Sequence, residues 1–114
     1  MASKDVGKIG ENRIARYLKD EGWIILEKNF RFHKKEVDII AQKHDLIIFV
    51  EVKTRKNTQF GRGSEAIDTQ KRNNIIHVAR HYIEKNNLNN FNVRFDVASI
   101  DGESFSYIEN AFQV

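Results

Sequence analysis

The sequence predicts an α/β fold, a mixed β-sheet flanked by helices in the order αβββαββ, and three observations carry that reading. Two segments place apolar residues at helical spacing. Several others are short, apolar and bounded by turn residues, as strands are. Two of those strands have His44-Asp45 midway between them and read as a hairpin, which rules out a regular βαβ series.

The first helix is expected from Lys8 to Glu21. Glu11, Ile14, Ala15 and Leu18 recur at i, i+3, i+4 and i+7, and Gly22 supplies the stop. Trp23 to Phe30 reads as the first strand, with both aromatic residues expected in the core. Glu36 to Ala41 and Leu46 to Thr54 are the second and third. The third is apolar on both faces from Leu46 to Val50, so it belongs in the centre of a covered sheet. A polar loop, Asn57 to Ser64, contains Phe60, Gly61, Arg62 and Gly63. Ser64 is a candidate cap for a second helix running to Asn87, with the apolar stripe Ile67, Ile75, Val78, Ala79 and Tyr82, and Lys71 falls on that stripe. Asn92 to Ile100 and Phe105 to Ile108 complete the sheet around a turn at Asp101-Gly102.

With 114 residues the chain reads as a single domain, long enough to bury one core. It has no cysteine, which removes disulfides, zinc–thiolate sites and cysteine nucleophiles together. No apolar run reaches the length of a membrane span and the N-terminus lacks a signal-peptide pattern, so a cytoplasmic protein is expected. The net charge is +3 and the pI near 9.2, which lean towards a polyanionic partner. The distribution says more. Arg31, Lys34 and Lys35 precede the second strand, Lys53, Arg55, Lys56 and Arg62 follow the third, and Lys71 and Arg72 open the second helix.

Between those basic groups lies the chemistry. Reflecting the hairpin about His44-Asp45 brings Asp38 opposite Glu51, and two opposed carboxylates repel across a sheet. A divalent cation reverses that sign, because hard cations take carboxylate oxygens. Lys53 lies two residues past Glu51 and projects from the same face. Acid, acid and lysine on one face is what a metal-dependent phosphodiester hydrolase needs. Glu36 shares the strand with Asp38 and reads equally as an extra ligand or a salt-bridge partner. Glu11 reads as compensation of the helix dipole or as an acid facing the site. Lys71 reads as a phosphate contact or as a lysine snorkelling from the core edge. His33, His44, His77 and His81 form no ligand pattern, and His77 and His81 are expected on a solvated helix face. Phe60 is a candidate for stacking on a base.

The motifs Gly7-x-x-Gly10-Glu11, Leu26-x-x-Asn29-x-Arg31, Glu36-x-Asp38-x-Ile40, Val50-Glu51-Val52-Lys53-x-Arg55, Lys71 and Phe95-Asp96-Val97 together resemble the YraN-like family of small bacterial proteins. That family is in turn similar to the PD-(D/E)xK nucleases and the archaeal Holliday-junction resolvases. The resemblance implies a restriction-endonuclease-like fold and an endonuclease acting on DNA, branched or otherwise structured. It implies one Mg²⁺ or Mn²⁺ held by Asp38, Glu51 and the main-chain carbonyl of Val52, with Lys53 catalytic and Glu11 an accessory acid. Arg31, Lys35, Arg55 and Lys71 would meet the nucleic-acid backbone. Resolvase-like enzymes work as dimers, so a homodimer is implied as well. One residue departs from the pattern: Lys35 stands where the family usually has glycine, which puts close backbone contact there in question. Two other functions fit the same residues, a nuclease fold kept for binding without hydrolysis and a subunit whose basic face docks an acidic protein.

Overall fold

The computed structural model describes residues 3–55 and 67–114, with side chains from Gly7 onward except that of Arg55. The expected loop with Phe60, Gly61, Arg62, Gly63 and Ser64 lies outside the described residues. The order is α1 (Ser3–Asp20), β1 (Ile24–Phe32), β2 (Lys35–Lys43), β3 (Leu46–Arg55), α2 (Thr69–Lys85), β4 (Asn92–Asp101) and β5 (Ser104–Phe112). This is the αβββαββ order read from the sequence.

The five strands lie side by side in chain order, so β3 is central, as its apolar run requires. β1, β2 and β3 are antiparallel, β3 and β4 are parallel, and β4 and β5 are antiparallel. α2 bridges the parallel pair in sequence. Each helix covers one face. Ile14, Ala15 and Leu18 of α1 pack with Ile39, Ile48, Val50 and Ile100. Ile75, Val78, Ala79 and Tyr82 of α2 pack with Ile47, Phe49, Phe95 and Val97. The stripe expected on α2 is the buried stripe observed.

The helix ends follow local chemistry. Gly22 has φ 99°, its amide bonds Lys19 O at 3.0 Å, and the Trp23 amide bonds Leu18 O at 2.9 Å. That is a Schellman termination. α2 starts later than expected. Asp68 is extended, with φ −68° and ψ 165°, and its carboxylate accepts the Lys71 amide at 2.7 Å. Asp68 is therefore the cap, and Ile67 is buried from the residue before it. α1 in turn begins at Ser3, because neither Gly7 nor Gly10 breaks it.

The histidines are also explained. His33 and His44 have φ 59° and 54° in the two-residue connections between β1, β2 and β3. Histidine is among the residues that enter this left-handed region more readily. His77 is exposed, as expected, whereas His81 is half-buried. His81 stacks on Phe32 with ring centroids 3.7 Å apart, and His77 lies 5.4 Å from the same ring. The apolar stripe gave no sign of this, because Phe32 reaches them from the end of β1. Phe30 packs edge-on against Tyr82 at 5.0 Å. Trp23 is only half-buried, flanked by Lys43 and Arg94.

Among the described residues, no helix is long and apolar enough to cross a membrane.

Candidate functional site

The hairpin register holds from Lys43↔Leu46 to Ile39↔Val50 and stops one pair short of Asp38 and Glu51. Instead, the Val52 amide donates to Asp38 Oδ2 at 2.8 Å. β2 and β3 part here. The facing side of the same irregularity is Asn29, with φ 55°, where the β1–β2 ladder passes from Lys28↔Ile39 to Phe30↔Val37. Asp38 therefore sits in a gap between strands rather than on a regular sheet face.

Glu51 reaches that gap from the face covered by α2. Its neighbour Phe49 belongs to the α2 core and Val50 to the α1 core, so strand alternation sends Glu51 and Lys53 towards α2. Glu51 is only 9% exposed. Lys71 of α2 pairs with its Oε2 at 3.1 Å, while Oε1 is buried and meets no N–H or hydroxyl donor among the described residues. Glu11 arrives from the opposite layer. It is brought close by Gly10, where a Cβ would stand 2.6 Å from Thr54 Oγ1 and 3.0 Å from Ile100 Cδ1. Only glycine lets α1 approach β3 so closely at that turn.

The electrostatics follow from this crowding. Burial and the adjacent Glu51 charge push the Asp38 carboxyl up to about 7, against the Val52 amide, which favours the charged form. Burial, with the charges of Asp38 and Glu36, raises Glu11 above the usual carboxylate range, although a hydrogen bond from Asn29 works the other way. Burial alone would lower the Lys71 ammonium, but the charge and hydrogen bond of Glu51, with the charges of Asp38 and Glu36, together outweigh it and hold Lys71 above its ordinary value.

Of the residues singled out in the sequence, Asp38, Glu51, Lys71 and Glu11 thus converge. Lys53 follows on the Glu51 face, in register with Ser99. Glu36 pairs with Arg31 at 3.6 Å, the salt-bridge alternative of its two readings. Lys35 opens β2 opposite Phe32. Arg55 ends β3, and its side chain lies outside the described part. Two contributors were not assigned a role from sequence, Gly10 and Asn29. An asparagine inside a strand was the available signal, since asparagine is depleted from strands and tolerates the left-handed region.

A divalent cation fits the donor set. Two carboxylates side by side, one with an oxygen lacking a donor, suit a hard cation that keeps several waters and takes one or two protein carboxylates. Among the described residues, no three His, Cys, Asp or Glu side chains close into a ready-made cage. Glu11 and Glu36 act on Asp38 through their charge, and the pair itself is the core of the site.

Fold and site together define a class of α/β protein, one whose sheet holds a partly buried acid pair where two strands part. Within it, the chain belongs to UPF0102, an uncharacterised protein family, whose profile matches residues 10–100. This is the YraN-like family that the motifs indicated. A UPF0102 protein of Clostridioides difficile (strain 630) is 47% identical over 114 residues, covering 98% of this chain and all of that protein. Relatives from Dictyoglomus turgidum and Alkaliphilus metalliredigens are 41% and 42% identical, over 98% and 96% of the chain and 100% and 99% of their own lengths.

Proposed function

We propose that the protein is a metal-dependent endonuclease that hydrolyses phosphodiester bonds in DNA, with branched or otherwise structured DNA as the preferred form. One observation carries the reading. Asp38 and Glu51 are held together in a partly buried gap, at a cost in mutual repulsion, with no N–H or hydroxyl among the described residues donating to Glu51 Oε1. A purely structural sheet gains nothing from that arrangement.

Asp38, Glu51 and the Val52 carbonyl would hold Mg²⁺ or Mn²⁺. When bound, such an ion supplies Lewis acidity towards a phosphodiester and lowers the pKa of a water. The chain's own groups do the rest. Lys53 orients the attacking water or offsets charge on the reacting phosphate. Glu11 adds negative charge from the α1 side and receives the Asn29 bond that fixes it. Arg31, Lys35, Arg55 and Lys71 meet the backbone phosphates on either side of the scissile bond.

The test is incubation of the purified chain, and of Asp38→Asn and Glu51→Gln variants, with labelled linear, flapped and four-way-junction DNA in Mg²⁺ or Mn²⁺. Cleavage by the parent and its loss in both variants is the expected result. Equal cleavage by parent and variants would remove these residues from the chemistry. Salt-dependent binding without turnover under every metal would leave a nuclease fold used for binding alone.

A further inference from the structure

Lys71 stands in the first turn of α2, its amide tied to the Asp68 cap. Its ammonium lies 3.1 Å from Glu51 Oε2, on the carboxylate that the proposed cation also needs. We propose that Lys71 is a built-in counter-ion that competes with the divalent cation for Glu51, and that cation and substrate phosphate together draw it off. The inference rests on the metal-site reading above and concerns the order of events at that same site.

The two ends of this ion pair differ in their freedom to move. Glu51 is 9% exposed and locked into β3, in register with Val97 of β4. The Lys71 side chain is 44% exposed, and lysine carries a compact charge on a flexible stem. When the pair breaks, the lysine is the partner that leaves. A buried carboxylate without a partner is strongly unfavourable, so the ammonium stabilises the fold where it stands. A doubly charged ion on the same carboxylate repels that ammonium at close range in a partly desolvated gap. Cation binding and the Lys71–Glu51 bond therefore oppose each other, and the opposition is reciprocal: whatever the cation costs the lysine, the lysine costs the cation. A phosphate of the substrate offers Lys71 another anion. Substrate then favours the cation and the cation favours substrate, so the acid pair fills when a nucleic acid is there to be cut.

The experiment counts free Mn²⁺ by electron paramagnetic resonance, at one pH and without nucleic acid, for the full chain and for Lys71→Met, Lys71→Arg and Asp38→Asn. Lys71→Met should bind about tenfold tighter than the parent, the scale of one charged hydrogen bond. Lys71→Arg should stay near the parent and Asp38→Asn should lose binding. On the unaltered chain, a Mg²⁺ titration followed by lysine ¹³Cε resonances gives a second readout that needs no folded Lys71→Met. The Lys71 signal, assigned by its absence in Lys71→Arg, should move towards that of a solvent-exposed lysine. A parent that binds Mn²⁺ while Lys71→Met binds no tighter overturns the competition and leaves the metal site standing, as does a Lys71 signal that ignores bound Mg²⁺. No Mn²⁺ binding by the parent or by Lys71→Met overturns the metal site and the competition with it.

Discussion

A carboxyl group held near pH 7 works against its own fold at neutral pH. The Asp38 side chain titrates at about 7 in the folded chain, against an ordinary value of 3.8. Between those values the folded chain keeps a proton that the unfolded chain has lost. Stability therefore falls as pH rises through that window and stays reduced above it. Asp38→Asn keeps an oxygen for the Val52 amide and removes the charge. It should raise stability at pH 8 by an amount on the order of 2 kcal/mol, and the gain should shrink as pH approaches 4. Urea unfolding of parent and variant at both pH values checks this; an unchanged midpoint at pH 8 would show that the acid pair carries no such burden. At this scale the sequence was informative about which acids meet, because reflection about His44-Asp45 pointed Asp38 at Glu51. It did not reveal that the ladder ends before they pair, since that depends on the left-handed Asn29 and on an amide bonding a side chain.

The hairpin of β4 and β5 shows how an element can be pinned from within. Asp96 is fully buried on β4. It accepts two bonds from Arg94, at 2.9 and 3.0 Å, one from Tyr107 Oη at 2.6 Å and one from the Asn110 amide at 3.0 Å. The register of the pair shifts between Phe95 and Val97, and Asn110 has φ 54°, so the carboxylate fills a bulge in β5. Burial and the Asp96 charge raise the Tyr107 hydroxyl, which stays a donor. Asp96→Ala strips the buried partner from a half-buried guanidinium, leaving it the exposed Glu109 at 3.6 Å, and should cost about 3 kcal/mol. The urea midpoint measures it, and a loss below 1 kcal/mol would make the network incidental. β5 runs to Phe112, past the Ile108 expected from its sequence. Alternation fades at Glu109 and Asn110, and the reason for continuing lies on the neighbouring strand. The start of α2 lies later than its sequence suggests for a related reason: the bond from the Lys71 amide to Asp68, which sets the start, is not legible from residue type.

Across the whole molecule, one group of basic residues shares an end of the sheet. β2 begins and β3 ends beside the gap, so Arg31, Lys34 and Lys35 stand at the same end of the sheet as Arg55, Lys71 and Arg72. With a net charge of +3, contact with a nucleic-acid backbone there should weaken steeply with salt. Arg31→Ala and Lys35→Ala should each reduce the slope of log affinity against log salt by about 1, measured by fluorescence anisotropy across a KCl series. A flat salt dependence in the parent would count against a phosphate backbone at this end. Such gathering was visible in sequence only as flanking runs, because the order of charges along a chain becomes a surface once the strands reverse. The gap itself draws on both layers, Glu11 from beneath the sheet and Lys71 from above it. A chain with either helix undocked would carry two carboxylates in conflict and little else. The gap is thus a property of the finished sandwich, complete only while both helices are docked.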